Sequence, residues 1–102
     1  MAIHTTAEYR VKPTGIEKVK KAIEAFLPHI RANEPGTQVY AAWQDQSDPS
    51  RFVHIFIFQD EAAHRAHASS EAVKRFEAAY GPELDGGPVK FVNFNNIASK
   101  PA

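Results

Sequence analysis

Cysteine is absent from the 102 residues, and neither sign of charge prevails: 12 Lys plus Arg stand against 12 Asp plus Glu. Without cysteine there is no disulfide scaffold, no thiolate nucleophile and no cysteine-ligated zinc or iron–sulfur centre. Zero net charge offers no clustered basic surface to displace phosphate counterions, which argues against nucleic acid as a partner. It gives no reason to expect an anionic membrane surface either. No apolar run is long enough to span a bilayer, and the opening MAIHTTAEYR lacks the basic and apolar regions of a signal peptide. The expectation is one soluble, cytoplasmic domain covering residues 1–102. A chain this short hides only roughly 60–70% of its unfolded surface, so a partner subunit would help it.

What the chain does have is clear patterning. From Ile3 to Lys12 the residues alternate, with Ile3, Thr5, Ala7, Tyr9 and Val11 on one side and His4, Thr6, Glu8, Arg10 and Lys12 on the other. Period two with β-branched and aromatic residues predicts a strand. Thr14-Gly15-Ile16-Glu17 fits a capping box, and behind it Ile16, Val19, Ile23, Phe26, Leu27 and Ile30 recur at helical spacing. Pro28 falls inside that pattern and is expected to kink the last turns. Glu34-Pro35-Gly36 is a turn signal, Thr37 to Asp45 a second strand, and Ser47 to Ser50 a connection.

Arg51 to Gln59, RFVHIFIFQ, is the strongest strand and is apolar on both faces. Phe52, His54, Phe56 and Phe58 share one face; Val53, Ile55 and Ile57 share the other. Asp60 is positioned to cap a short helix through His67, and Ser69 or Ser70 to cap another carrying Val73, Phe76 and Tyr80. The segment VKFVNFNNI after Pro88 reads as a fourth strand. The order β-α-β-β-α-β predicts an α+β, ferredoxin-like antiparallel sheet with helices on one face. The uncovered face would then expose Val53, Ile55 and Ile57, and a patch that large is rare on monomers. A homodimer, sheet against sheet, is the expected solution.

Histidine supplies the only side chains here with an ordinary pKa close to neutrality, ~6.5. His54, set among phenylalanines, reads either as a neutral base in an apolar cavity or as a core residue bonded to a neighbour. His64 and His67, three apart on a short helix, share a side, and either the cavity or solvent faces them. Together with His54 they could supply nitrogen ligands, but no acidic or cysteine residue completes a metal-site spacing. His4 and His29 are expected at the surface without a role. Most of the aromatic residues belong to core or interface. Tyr9, Phe56, Phe58 and Phe76 are the subset placed to sandwich a planar ligand by offset stacking. Gly86-Gly87 lacks the context of a phosphate loop, and no acid–His–Ser relay is identifiable.

Several segments, in this order, resemble the antibiotic biosynthesis monooxygenase family of small dimeric α/β-barrel proteins. They are Glu34-Pro35-Gly36-Thr37 with Tyr40, Asp48-Pro49-Ser50-Arg51-Phe52-Val53, Asp60-Glu61-Ala62-Ala63, Ala66-His67, Ser70 and Phe76. The resemblance implies a cavity between sheet and helices in each subunit. Family members that oxidise polyketide phenols place Asn, Trp and Tyr where this chain has His54, Phe58 and His64. Others carry Glu-x-Trp where Phe56 and Phe58 stand. The family's helix histidine is kept as His67, its second is replaced by Ala72, and the Asn of haem-degrading relatives is matched by Tyr9.

Two readings follow from residues and resemblance together. One is a cofactor-independent monooxygenase acting on a phenol or hydroquinone, with His67 as base, His54 orienting the substrate oxygen and His64 beside them. The other is a non-catalytic module that binds a small aromatic molecule or haem.

Overall fold

The computed structural model describes residues 1–101. Four strands, β1 (Ile3–Arg10), β2 (Thr37–Gln44), β3 (Arg51–Phe58) and β4 (Lys90–Phe94), build one antiparallel sheet in the order β2-β3-β1-β4. Three helices, α1 (Ile16–Asn33), α2 (Glu61–Ala68) and α3 (Glu71–Tyr80), cover one of its faces. This is the ferredoxin-like arrangement expected from the pattern, with the second helical segment split in two.

Local chemistry accounts for most of the boundaries. The Asp60 carboxylate accepts from the Ala63 amide at 2.9 Å, and the Ser70 hydroxyl from the Val73 amide at 3.1 Å. Both short helices therefore begin on side-chain caps. The start of α1 differs from the expected capping box. Pro13–Gly15 winds into a 3-10 turn in which the Gly15 amide donates to the Lys12 carbonyl at 2.8 Å, so Gly15 is the cap residue and no side chain caps the helix. Pro28 lies within α1 on an exposed position, and the helix runs past it to Asn33.

Two strands are shorter than their alternation implied. β1 stops at Arg10, after which Val11 keeps an isolated bridge to Leu84 and an amide hydrogen bond to the Ser50 carbonyl. β4 stops at Phe94, where its ladder with β1 has reached His4. Asn95, opposite Ile3, and Asn96 and Ile97, past the start of β1, pair with nothing among the described residues.

Side-chain parity separates two apolar surfaces. Thr5, Ala7 and Tyr9 of β1 and Phe52, His54, Phe56 and Phe58 of β3 are buried beneath the helices. Phe26 and Ile30 of α1 meet Ala72 of α3 above them. On the helix-free face, Val53, Ile55 and Ile57 lie in register with Trp43, Ala41 and Val39 of β2, and Val92 and Phe94 extend the row through β1. Trp43 is 59% exposed and Phe94 55%, so this second surface is open as well as apolar. The ladder between β2 and β3 slips once, between Thr37 and Val39: Thr37 faces Phe58 while Tyr40 faces Phe56. The extra residue of this bulge puts Tyr40, rather than Val39, on the helix-covered face.

At Gly36 the chain that enters β2 runs tight against α2. A Cβ built at Gly36 would lie 2.5 Å from the Cβ of Ala63. Gly36→Ala is therefore expected to destabilise the protein by roughly 1–3 kcal/mol, the usual range for overpacking. A urea titration reads this as a lowered midpoint, partly restored in the Gly36→Ala, Ala63→Gly double variant. An unchanged midpoint in the single variant would show that the contact yields freely.

Candidate active site

A cavity of about 210 Å3 lies between the helix-covered face of the sheet and the helices. Tyr9 of β1, His54, Phe56 and Phe58 of β3, His64 and His67 of α2 and Phe76 of α3 all line it, joined by Phe26 of α1 and Tyr80 of α3. Strand alternation delivers the three β3 side chains to one wall, and the three-residue spacing on α2 delivers both histidines to another. The walls are aromatic: Phe56 stacks on Phe58 with centroids 5.4 Å apart, and Phe26 on Phe76 at 5.0 Å.

His54, 2% exposed, is held at both ring nitrogens. Nε2 shares a 2.7 Å hydrogen bond with the Tyr9 hydroxyl, and Nδ1 a 2.9 Å bond with the Tyr40 hydroxyl. Burial, with a lesser contribution from His67, pushes the His54 pKa down to about 4. Burial raises the hydroxyls of Tyr9 and Tyr40 well above the ordinary tyrosine value. At neutral pH the trio is an uncharged imidazole between two protonated phenols. This corrects the expectation that His54 presents a ring nitrogen to a substrate oxygen, since both nitrogens are already occupied.

His67 is held at one nitrogen only. Its Nδ1 donates to Glu34 Oε1 at 2.8 Å, and the same oxygen accepts from the Thr37 hydroxyl at 2.8 Å. A carboxylate oxygen accepts and does not donate, so the Nδ1–H tautomer is selected and Nε2 keeps its lone pair. Nε2 has no hydrogen-bond partner among the described residues, and the ring packs against Phe56 and Phe58, centroids 4.9 and 5.2 Å away. Burial lowers the His67 pKa, opposed by the Glu34 hydrogen bond and charge.

The remaining histidines divide. His64 is half-buried and stacks on Phe58 at 4.8 Å, which places it at the cavity wall and not in bulk solvent. His29, expected as a surface residue, is half-buried with Nε2 3.6 Å from Glu34 Oε2. No group of three or more His, Cys, Asp or Glu among the described residues is arranged to hold a metal ion.

Glu34 and Tyr40, the partners of the two buried histidines, stand in segments that carry the family resemblance, but the pattern gave neither a place in the site, nor did it give one to Phe26 or Tyr80. Glu34 sits in a Glu-Pro-Gly turn, where it read as punctuation, and its partner lies 33 positions away. Counting by twos from Thr37 turns Tyr40 away from the cavity, and only the bulge brings it back. Neither displacement has a local signal in the sequence.

The fold is shared with known proteins. The family model for antibiotic biosynthesis monooxygenases matches residues 2–79. The chain belongs to this family. No curated protein matches it by sequence. A solved structure from Nitrosomonas europaea bearing the family's name superposes with a TM-score of 0.85 at 23% identity, covering 98% of this chain and 92% of that one. One from Caulobacter crescentus, also bearing the name, gives 0.86 at 21% identity with 95% and 91% covered. A Pseudomonas aeruginosa protein gives 0.83 at 25% identity with 95% of each chain covered.

In this member of the family the buried histidines make stability depend on pH. His54 titrates near 4 when folded and at 6.5 when unfolded, so below pH 6.5 the unfolded chain takes up a proton that the folded chain refuses. Stability is complete above that pH and should fall by about 3 kcal/mol on approaching pH 4, with His67 adding in the same direction. Urea midpoints across this range measure the loss. In His54→Gln, whose amide can both donate and accept, most of the dependence should vanish. An equal slope in that variant would place its origin elsewhere.

Proposed function

We propose that the chain is a monooxygenase that oxidises a small phenol- or hydroquinone-type ring with dioxygen, the substrate itself supplying the electrons. The observation that carries this reading is the Glu34–His67 pair at the wall of an aromatic cavity. His67 Nε2 takes the phenolic proton, and Glu34 holds the ring in the tautomer that can do so. The phenolate gives up an electron to dioxygen far more readily than the phenol does. In the conversion of a phenol to a para-quinone one oxygen atom of O2 enters the ring, and the other leaves as water with two substrate hydrogens. All four electrons come from the substrate, so no external reductant is required.

The other residues position and enclose. Phe56, Phe58, Phe76 and the ring of Tyr9 hold a flat ligand by offset stacking and keep water from the reacting atoms. His54 acts through the tyrosines, and His64 lies against Phe58 beside the base. A volume of about 210 Å3 is below the ~300–1,000 Å3 of drug-sized pockets, which suits one or two rings. The open face of Val39, Trp43, Val53, Ile55, Ile57 and Phe94 is covered, in this reading, by the same face of a second copy, an isologous contact.

Two experiments test these statements. With an electrode and a panel of phenols, purified protein should consume oxygen at a rate that rises with pH through an apparent pKa below 6.5. His67→Ala should lower turnover by roughly 10²–10⁴-fold with little change in ligand binding. Ligand binding without oxygen uptake across the panel would assign the cavity to a non-catalytic aromatic-binding module instead. Light scattering should give twice the chain mass, and Ile55→Asp should halve it, because an unpaired buried carboxylate costs several kcal/mol. A monomeric wild type would overturn the dimer.

A further inference from the structure

The Tyr9–His54–Tyr40 trio contains more hydrogen than its own bonds use. Two phenols and one neutral imidazole carry three polar protons between them, and the trio makes two internal hydrogen bonds. One hydroxyl proton is always left over, at the end toward which the chain of bonds points. If His54 carries its proton on Nε2, it donates to Tyr9, and the Tyr9 hydroxyl is free to donate outward. If the proton is on Nδ1, Tyr9 donates to His54 and has only lone pairs to offer. Tyr9 lines the cavity. Tyr40 stands behind, between Phe26 and Phe56 at centroid distances of 5.7 and 5.1 Å.

We propose that the Tyr9 hydroxyl is a binding site for a ligand oxygen, and that its sense, donor or acceptor, is set from behind by the tautomer of His54. The proposal deepens the phenol reading by adding a second contact point at the other end of the cavity. His67 packs over Phe56 and Phe58, whereas Tyr9 reaches His54. At ~3.3 Å per residue along β3 the two polar ends are roughly 10 Å apart. That span fits a benzene ring with oxygens at opposite ends and a hydrogen bond beyond each. An oxygen that ends a reaction as a carbonyl meets a donor at Tyr9, and one that arrives as a hydroxyl can meet an acceptor. The trio holds three polar protons in either sense, and passing from one to the other takes one proton in at Tyr9 and one out at Tyr40. The burial that keeps both phenols protonated and His54 uncharged preserves the proton count.

The test compares para-hydroxyacetophenone with para-ethylphenol, a pair of like shape that differ in one acceptor oxygen. Dissociation constants are taken as a ratio, so general damage to the pocket cancels. Wild type should prefer the ketone by roughly five-fold or more, the size of one hydrogen bond. Tyr9→Phe should abolish the preference. Tyr40→Phe should keep or increase it, because leaving Nδ1 as an orphaned lone pair is less costly than leaving a buried N–H without a partner. Nitrogen NMR of histidine-labelled wild type reads the same event without mutation: the ketone should drive His54 to the Nε2–H tautomer, and para-ethylphenol should not.

A preference that survives Tyr9→Phe, its absence in the wild type, or a tautomer indifferent to the ketone would each overturn the proposal. None of these measurements needs turnover. Absent oxygen uptake with an intact ratio sinks the oxygenase reading alone, whereas uptake with a ratio unmoved by Tyr9→Phe sinks this one.

Discussion

Four imidazole nitrogens sit behind a wall of aromatic rings, and the need to find each of them a partner dictates much of the layout around them. A polar atom buried without a hydrogen bond costs about 1–3 kcal/mol. His54 meets the demand completely, with one tyrosine from β1 and one from β2, the strands on either side of its own. His67 meets it by half, through Glu34. The asymmetry separates their roles, because a saturated imidazole can only transmit and a half-saturated one can react. Glu34 carries a matching deficit: its Oε2 is buried with no hydrogen bond, and His29 Nε2 is 3.6 Å away. The polar imbalance of the interior is thus concentrated around one residue pair beside the cavity.

β3 supplies the frame for this arrangement. Its side chains alternate between a cavity wall and an open apolar surface, so one eight-residue strand takes part in two unrelated surfaces. A single-residue slip would exchange them, sending His54 outward and Ile55 among the aromatics. Eight paired positions with β1 and a long ladder with β2 resist that slip. The irregularity that the sheet does contain lies in the edge strand β2, where it brings Tyr40 inward and leaves β3 undisturbed.

What could be seen in the residues beforehand was whatever depends on near neighbours. The alternation of Phe52 to Phe58, the helical recurrence from Val19 to Ile30 and the caps at Asp60 and Ser70 are all short-range signals, and each appears in the structure. The His64–His67 spacing belongs with them. Thr14 misled because the adjacent Pro13 favours a tight 3-10 turn over a capping box, which is still a local effect but a competing one. The ends of β1 and β4 were hidden for a different reason: a strand needs a partner to continue, β1 ends with β3 at Arg10 and Arg51 and β4 ends within a residue of the start of β1, and no partner is written in a strand's own residues. Glu34 and Tyr40 escaped because a long-range contact and a bulge decide them. The aromatic half of the site was legible and the half that tunes its histidines was not.

The seat of α2 has a geometric consequence. The chain entering β2 touches this helix twice, with Gly36 against Ala63 and Glu34 against His67. Ala63 and His67 are four residues apart, one above the other on the same side of the helix. One point of attachment would leave a short rod free to roll about its axis; two points, spaced ~6 Å along it, fix the roll as well as the position. Eight residues are too few to form a stable helix alone, and here they acquire an angular setting from a turn remote in sequence. The Glu34–Gly36 turn, together with the phenylalanines under His64 and His67, thus sets the azimuth of α2, and with it the bearing of His67 Nε2.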